Sequence, residues 1–546
     1  MKHIFIPALV LVAINPAFTG VSIAQETNLP ASHAPEPSHD PSWHPTSEHY
    51  SRSGHEYLLA AVRDEVEARQ FDDPSVQQRY NEVIDRFVRD GSNYGVSYVD
   101  HRQTLFDLYQ ELLTIDNPPP LYIQYRYHSS QVDLDGSPDR VMAKHADALL
   151  EVAYQMDQVG YPPYIAASTW LKAAEFMTSM NARQDGTIIA HIREHGIDLL
   201  VKAASLEGVE PRYQEFVSER IANFGFQYIT LPLEDQKVLC QALLDNKDAE
   251  PWIGLYSSGG LRVKLAWNNR GGGYAYEITD EGWQEFERHL VRAHRHLTKA
   301  WERKPHWPQP ATKLITATMG HQMRTDRPTA FWFQQAIEAR TDHYKAYTAF
   351  TTDLLPKWHG SIEHLDGLAR FIIDRSDEHG NMGRALIYVI SSISNQLEDP
   401  YAALESDRYL PHMTRLMLDE VEVGLEYQNN PWRSRSLRAV ALGNYRIGNY
   451  QSAAQLLRAG GAKTNLGWYA WDENLRFRNF SILLGSPCAQ EVIEGLEHLD
   501  AGNRDAAHDA FKRAKKALNS RRSEIDPAHF GEPLETIDWA IKITKD

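Results

Sequence analysis

The stretch Ala489–Lys516 reads AQEVIEGLEHLDAGNRDAAHDAFKRAKK, and its small residues fall at the spacings a helical hairpin needs. Gly495, Gly502, Ala507, Phe511 and Ala514 follow one another at intervals of seven, five, four and three positions. Gly495 leaves room for a second helix to approach, and Gly502 supplies the tight turn. Ala507, Phe511 and Ala514 share one face of the returning helix, where the ring fills the groove between the two.

Related registers occur upstream. Ala441, Gly448, Tyr450, Ala453 and Leu457 repeat the small-residue spacing, and GWYAWDENLRFRNFSILLG, between this unit and the last, reads as an inserted helix and loop or a degenerate unit. Ala300-Trp301-Glu302 with Pro305 and Pro310-Ala311, and Ala336-Ile337-Glu338 with Tyr344, Ala346 and Tyr347, are two copies of one arrangement 36 residues apart. These residues resemble the tetratricopeptide family, whose period is about 34 residues. The segments LAWNNRGGGYAYEITDEGWQEFERHL, KAWERKPHWPQPA and LLPKWHGSIEHLDGLARF are also similar to an uncharacterised family of exported bacterial tetratricopeptide-like proteins. The resemblance implies helical repeats used as a protein-binding platform, and it transfers no catalytic residue.

Between Glu56 and Leu244 helical stripes follow one another with short breaks. Examples are Val76, Tyr80, Val83, Ile84 and Phe87 after the start signal Asp73-Pro74, and the long candidates Pro138–Gln158, Pro162–Met180 and Thr187–Ala204. One interval differs. WIGLYSSGGLRVKLAWNNRGGGYAYEI, from Trp252 to Ile278, alternates at Leu261, Val263 and Leu265 and carries glycines, which predicts a short hairpin or non-helical insertion. Thr279 after it reads as an N-cap, with Asp280 and Glu281 in the first turn. A capping helix is expected near Leu534–Ile543.

The fold class expected is therefore all-α, an antiparallel helix-hairpin solenoid interrupted near 252–278. The domains follow: 1–24 a signal peptide, 25–55 a Pro/Ser/His-rich tether, 56–250 an N-terminal helical array, 251–280 the insertion, 281–400 central repeats and 401–546 C-terminal repeats. At 546 residues the chain is too long for one small core, and its formal charge of −17 argues against nucleic acid as a partner. Lys2, the apolar run Ile4–Ile14 and the small residues before Gln25 read as a secretory signal cleaved after Ala24. That predicts a periplasmic or extracellular protein with no stable membrane span after cleavage. His33, His39, His44, His49 and His55 recur in the tether, where prolines prevent a closed metal site. Cys240 and Cys488 are too few to hold the fold by disulfides.

Three groups of residues stand out as candidate sites. His191, Glu194 and His195 fit H-x-x-E-H, which on a helix places two imidazoles one turn apart beside a carboxylate, the arrangement of an inverted zinc peptidase. Arg270-Gly271-Gly272-Gly273-Tyr274 lacks the lysine and serine of a phosphate-binding loop and reads as a turn needing positive φ, with Arg270 a structural cation paired to Glu277 or Asp280. His289, His294 and His296 are a third group on one helix. Aromatic density supplies the binding candidates: Trp267, Trp283, Trp332 and Trp358, with Arg270 and Tyr274, since Trp, Tyr and Arg dominate binding surfaces. The function expected is a non-enzymatic scaffold for proteins or peptides without cofactor, the alternatives being a metal-dependent hydrolase at His195 or a glycan-binding envelope protein.

Overall fold

The structure, a computed structural model, describes residues 47–69, 71–92, 98–115, 118–130, 138–179, 186–224, 231–273, 275–320, 327–358, 360–376, 382–399, 402–422, 431–447 and 488–521, with separate positions between 449 and 456 and between 534 and 545. The expected signal peptide, most of the tether, Gly448, Tyr450, Leu457 and the segment 467–485 lie outside the described residues.

The apolar stripes become helices. The N-terminal array runs α1 Ser47–Glu67, α2 Pro74–Ser92, α3 Tyr98–Ile115, α4 Leu121–Ser130, α5 Pro138–Val159, α6 Pro163–Ser179, α7 Gly186–Ala203, α8 Pro211–Phe224 and α9 Leu233–Asp245. It continues with α10 Pro251–Arg270, α11 Asp280–Arg303, α12 Pro308–Met319, α13 Thr329–Ala339, α14 Tyr344–Asp353, α15 Ile362–Arg375, α16 Gly383–Ser394, α17 Leu410–Glu422, α18 Pro431–Arg446, α19 Ala489–Asp500 and α20 Arg504–Ser520. Prolines at first positions and breaks of a few residues set most boundaries. No strand occurs among the described residues. Among the described residues the protein is an all-α array in which most consecutive helices pair, and α14 packs on both α12 and α16. Helix α1 starts at Ser47, inside the stretch read as tether, and packs on α8, with Ser53 donating to the Arg212 carbonyl at 2.5 Å.

The deciding hairpin forms as its spacing requires. A Cβ on Gly495 would sit 2.6 Å from the Phe511 ring, so α19 and α20 touch through bare backbone, and Gly502 turns the chain at φ +73°. Ala507, Phe511 and Ala514 are fully buried, in a core of their own with Val492, Leu496, Ile537 and Ala540. Cys488 belongs to that core and Cys240 to the main one, where its sulfur lies 3.2 Å from Ser257 Oγ.

The interval 252–278 corrects the sequence reading. Pro251–Arg270 is one helix of 20 residues, about 30 Å long at 1.5 Å per residue, and among the described residues of the interval only 271–273 and 275–278 lie outside α-helix, with one 3₁₀ turn at Ala275–Glu277. Helix α10 is buried on several sides, by Trp252, Ile253, Tyr256, Leu261, Val263 and Ala266, so it carries no one-sided apolar period to read. Its glycines permit close packing and do not turn the chain. A Cβ on Gly254 would lie 2.7 Å from the Leu243 carbonyl oxygen, and one on Gly259 would lie 2.6 Å from the Leu297 side chain.

One buried pair in the N-terminal array ties stability to pH. His128 at the end of α4 and His145 on α5 place their Nδ1 atoms 2.7 Å apart, a hydrogen bond that needs one ring to donate and the other to accept. Burial, then His145 and Lys144, push His128 down to about 3, and burial with Lys144 lowers His145 as well. The folded pair takes up protons below the ordinary value of 6.5, so the unfolded chain binds them first. This contribution is complete above that value and is lost as pH falls through it towards 3. The unfolding free energy from urea titration is expected to fall between about pH 7 and pH 4, by up to about 1.4 kcal/mol per unit for each group. His128→Phe should flatten part of that slope, and an unchanged slope in the variant would refute the assignment.

Candidate functional site

The helix end formed by Trp267, Asn268, Asn269 and Arg270 would leave carbonyls unpaired, and Gly271 closes it with φ +73° while its N–H donates to the Trp267 carbonyl at 3.0 Å. Arg270 then folds back over the turn. Its Nη1 donates to the carbonyls of Gly271 at 3.2 Å and Gly273 at 3.4 Å. The same guanidinium lies 5.7 Å from the ring centre of Trp267, 5.6 Å from Trp283 and 5.3 Å from Trp358. Trp283 stands in the first turn of α11, whose N-cap Thr279 accepts from the Gly282 N–H at 3.1 Å, as expected. Trp358 closes the 3₁₀ turn Pro356–Trp358 between α14 and α15.

The rings also brace one another. Trp267 meets Trp358 edge to face at 5.3 Å and Phe286 at 5.0 Å, and Trp283 meets Phe286 at 5.7 Å. Ala266, Phe286 and Leu290 form a small core beneath them. Each cation over an indole is worth about 0.5–1 kcal/mol when exposed and about 2 when desolvated. Four of the six binding candidates, Trp267, Arg270, Trp283 and Trp358, therefore meet in one cluster from three separate segments. The expected pairing of Arg270 with Glu277 or Asp280 is replaced by indoles and backbone carbonyls. Tyr274 lies outside the described residues.

Trp332 is elsewhere and is not a surface residue. It is fully buried, 5.4 Å from Trp301 and 4.9 Å from Phe331, with Arg327 lying over all three rings and the edge of His294 at 6.0 Å. The reason is the position on α13: Trp332, Gln335, Ala336 and Ala339 share the buried face, so the ring fills a helix-helix groove.

The H-x-x-E-H residues lie on α7 as the spacing predicts, but their surroundings differ. His191 and Glu194 are exposed, while His195 Nε2 meets Asp157 Oδ2 of α5 at 2.8 Å and packs edge to face on Trp170 at 4.7 Å. Trp170 Nε1 donates to the same carboxylate oxygen at 3.1 Å, so Asp157 ties α5 to α6 and α7. Among the described residues no group of three His, Cys, Asp or Glu side chains is placed to hold a metal ion. The α11 histidines separate too: His296 bonds Ser258 at 3.1 Å, His289 approaches Glu285 at 3.7 Å, and His294 turns towards Thr298 and Trp332.

A polar network that sequence reading missed lies at the contact of α8, α12 and the α13–α14 turn. Glu215 pairs with Arg340, and Gln309 Nε2 donates to Glu219 Oε2 at 3.0 Å and reaches Glu215 Oε1 at 3.4 Å. Lys345 stands 3.8 Å from Glu219. On the neighbouring α12 face, burial and the Lys345 charge push the Lys313 amine down to about 8. The only sequence signal was a pair of glutamates at i, i+4 within the apolar run of α8, which reads equally as an exposed edge.

No family model matches the chain, and no curated protein matches it. Among solved structures it is similar to the crystal structure of the yeast Tom70, at 12% identity over 86% of this chain and 95% of that one, with a TM-score of 0.17. It is also similar to a circular tandem repeat protein with novel repeat topology and enhanced subunit contact surfaces, at 14% identity over 91% and 98%, with a TM-score of 0.13. At those scores neither likeness carries an argument about site or partner, and the fold rests on the helices themselves.

Proposed function

We propose that this helical-repeat protein is an exported scaffold without catalytic activity of its own, and that it binds a protein or peptide partner at the aromatic turn between α10 and α11. The observation that carries the reading is the exposure of two large rings at the turn that holds the Trp267–Arg270–Trp358 cluster. Tyr276 is 83% exposed and Trp283 is 37% exposed, beside a cation held by three indoles. Preorganised aromatic side chains give contact area at low entropic cost, which is why they anchor interfaces. Export is supported by Lys2, the apolar run Ile4–Ile14 and the small residues near Ala24.

A photo-crosslinking residue at position 276, introduced in the source cell, tests both parts. The chain is expected outside the cytoplasm, beginning near Gln25, and crosslinked to one defined protein in a band that Trp283→Ala removes. Crosslinks no different from those of a probe at the exposed Glu302, or to glycan alone, would remove the reading.

A further inference from the structure

Helix α11 carries Arg288, Arg292, Arg295 and Lys299 at steps of four, seven and eleven positions, which places them along one exposed face. At 1.5 Å per residue the row is about 16 Å long. The antiparallel partner α10 brings a fifth cation alongside: Ser258 meets His296 at 3.1 Å and a Cβ on Gly259 would touch Leu297, so Arg262, one turn further on, lies opposite Arg292. The charges feel one another. Arg262 is held below the ordinary arginine range by burial and by Arg292, Arg288 and Arg295, and His296 is lowered by burial and by Arg262, Arg295, Lys299 and Arg292.

Several cations elsewhere in this acidic chain do have carboxylate partners, as in Arg79–Glu111, Arg193–Asp235, Lys172–Glu175 and Arg446–Glu405. Here only Arg288 has one, Glu285. Among the described residues Arg262, Arg292, Arg295 and Lys299 form no ion pair, although Arg292, after Arg288, helps to lower the Glu285 carboxyl at the start of the row, and two buried nitrogens beside the row, Arg262 Nε and His289 Nδ1, have no hydrogen-bond partner. His289 is 8% exposed. A solvated helix face normally mixes signs, because like charges at i, i+4 destabilise the helix by a few tenths of a kcal/mol, about 0.2–0.5 per pair. A row that repels itself on a molecule of net charge −17 gains by receiving an anion.

We propose that this row is a second interaction surface, distinct from the aromatic turn, and that it receives an acidic segment of a partner protein. The cations are spread along a line at one helical turn, about 5.4 Å, per step. They do not converge on a point, so a single phosphate engages two of them at most. A helical segment with Glu or Asp at i, i+4, i+7 and i+11 matches the spacing, and Val291, 44% exposed at the edge of the row, offers an apolar contact to such a segment. The net charge of −17 opposes the approach of a long polyanion more than that of a short acidic segment.

The test is fluorescence anisotropy with the full chain and a labelled amphipathic peptide carrying glutamates at those four spacings. The peptide is expected to bind, and Arg292→Glu with Arg295→Glu to weaken it about tenfold or more, with binding falling steeply as salt rises from about 0.05 to 0.5 M. Arg292→Ala with Arg295→Ala should weaken binding while leaving or raising the thermal midpoint, since it relieves repulsion. Trp283→Ala should leave peptide binding unchanged, which separates this surface from the aromatic turn. Equal binding by the charge-reversed chain, or tighter binding of anionic vesicles or duplex DNA than of the peptide, would overturn the proposal.

Discussion

Arg340→Ala is expected to destabilise the protein by about 3–5 kcal/mol, the cost of leaving a buried carboxylate without its cation. Glu215 is 1% exposed and Arg340 3% exposed, so water cannot replace the lost partner. The remaining contacts of Glu215 are weak. Gln309 reaches its Oε1 at 3.4 Å, and Oε2 has no hydrogen-bond partner. Glu215→Ala should also destabilise the protein, because it removes the carboxylate paired with a guanidinium that is 3% exposed. The pair Glu215→Leu with Arg340→Met is expected to recover most of the loss, since an ion pair replaced by apolar groups of similar size is often neutral. Denaturant titration of the four chains measures this, with the slope checked for two-state behaviour. Losses under about 1 kcal/mol in both single variants would mean that the network is hydrated and that α8 is not fastened to the α13–α14 turn through it.

The helices were legible because most are one-sided. Pro74 and Pro138 begin helices where their apolar stripes begin, and Gly495, Gly502 and Phe511 occupy the contact, turn and groove positions that their spacing required. Helix α10 was not legible for the same physical reason inverted. A helix enclosed by α8, α9 and α11 loses its polar face, and glycines placed for backbone contact imitate turn residues. The site was partly legible. Tryptophan density together with the Arg270 turn pointed to the region where Trp267, Trp283 and Trp358 converge. Composition alone does not say which indole faces solvent and which faces a helix, and that is where Trp332 was misplaced. The Glu215–Arg340 pair joins residues 125 positions apart, and no local pattern encodes so distant a partner. The cation row on α11 was present in the sequence but has meaning only once Arg262 is seen beside it and, among the described residues, only Arg288 of the row is seen to form an ion pair.

Trp332→Ala is expected to cost about 3–5 kcal/mol, as large aromatic truncations in a packed core do. The ring is fully buried, and its removal strips Trp301 and Phe331 of an edge-to-face partner and takes one of three rings from beneath Arg327. Trp332→Phe should recover roughly half, because a smaller ring refills part of the cavity and keeps a face for the guanidinium. Trp283→Ala is the contrast. With more than a third of its surface in water, 37%, it gives up one cation contact and the edge of Phe286, about 1 kcal/mol in all. The order of the two variants separates their roles: stability should depend on Trp332, and partner crosslinking on Trp283. If Trp332→Ala unfolds no more easily than Trp283→Ala, the α11–α13 contact is looser than the rings imply, and the partner surface would have to be sought there as well.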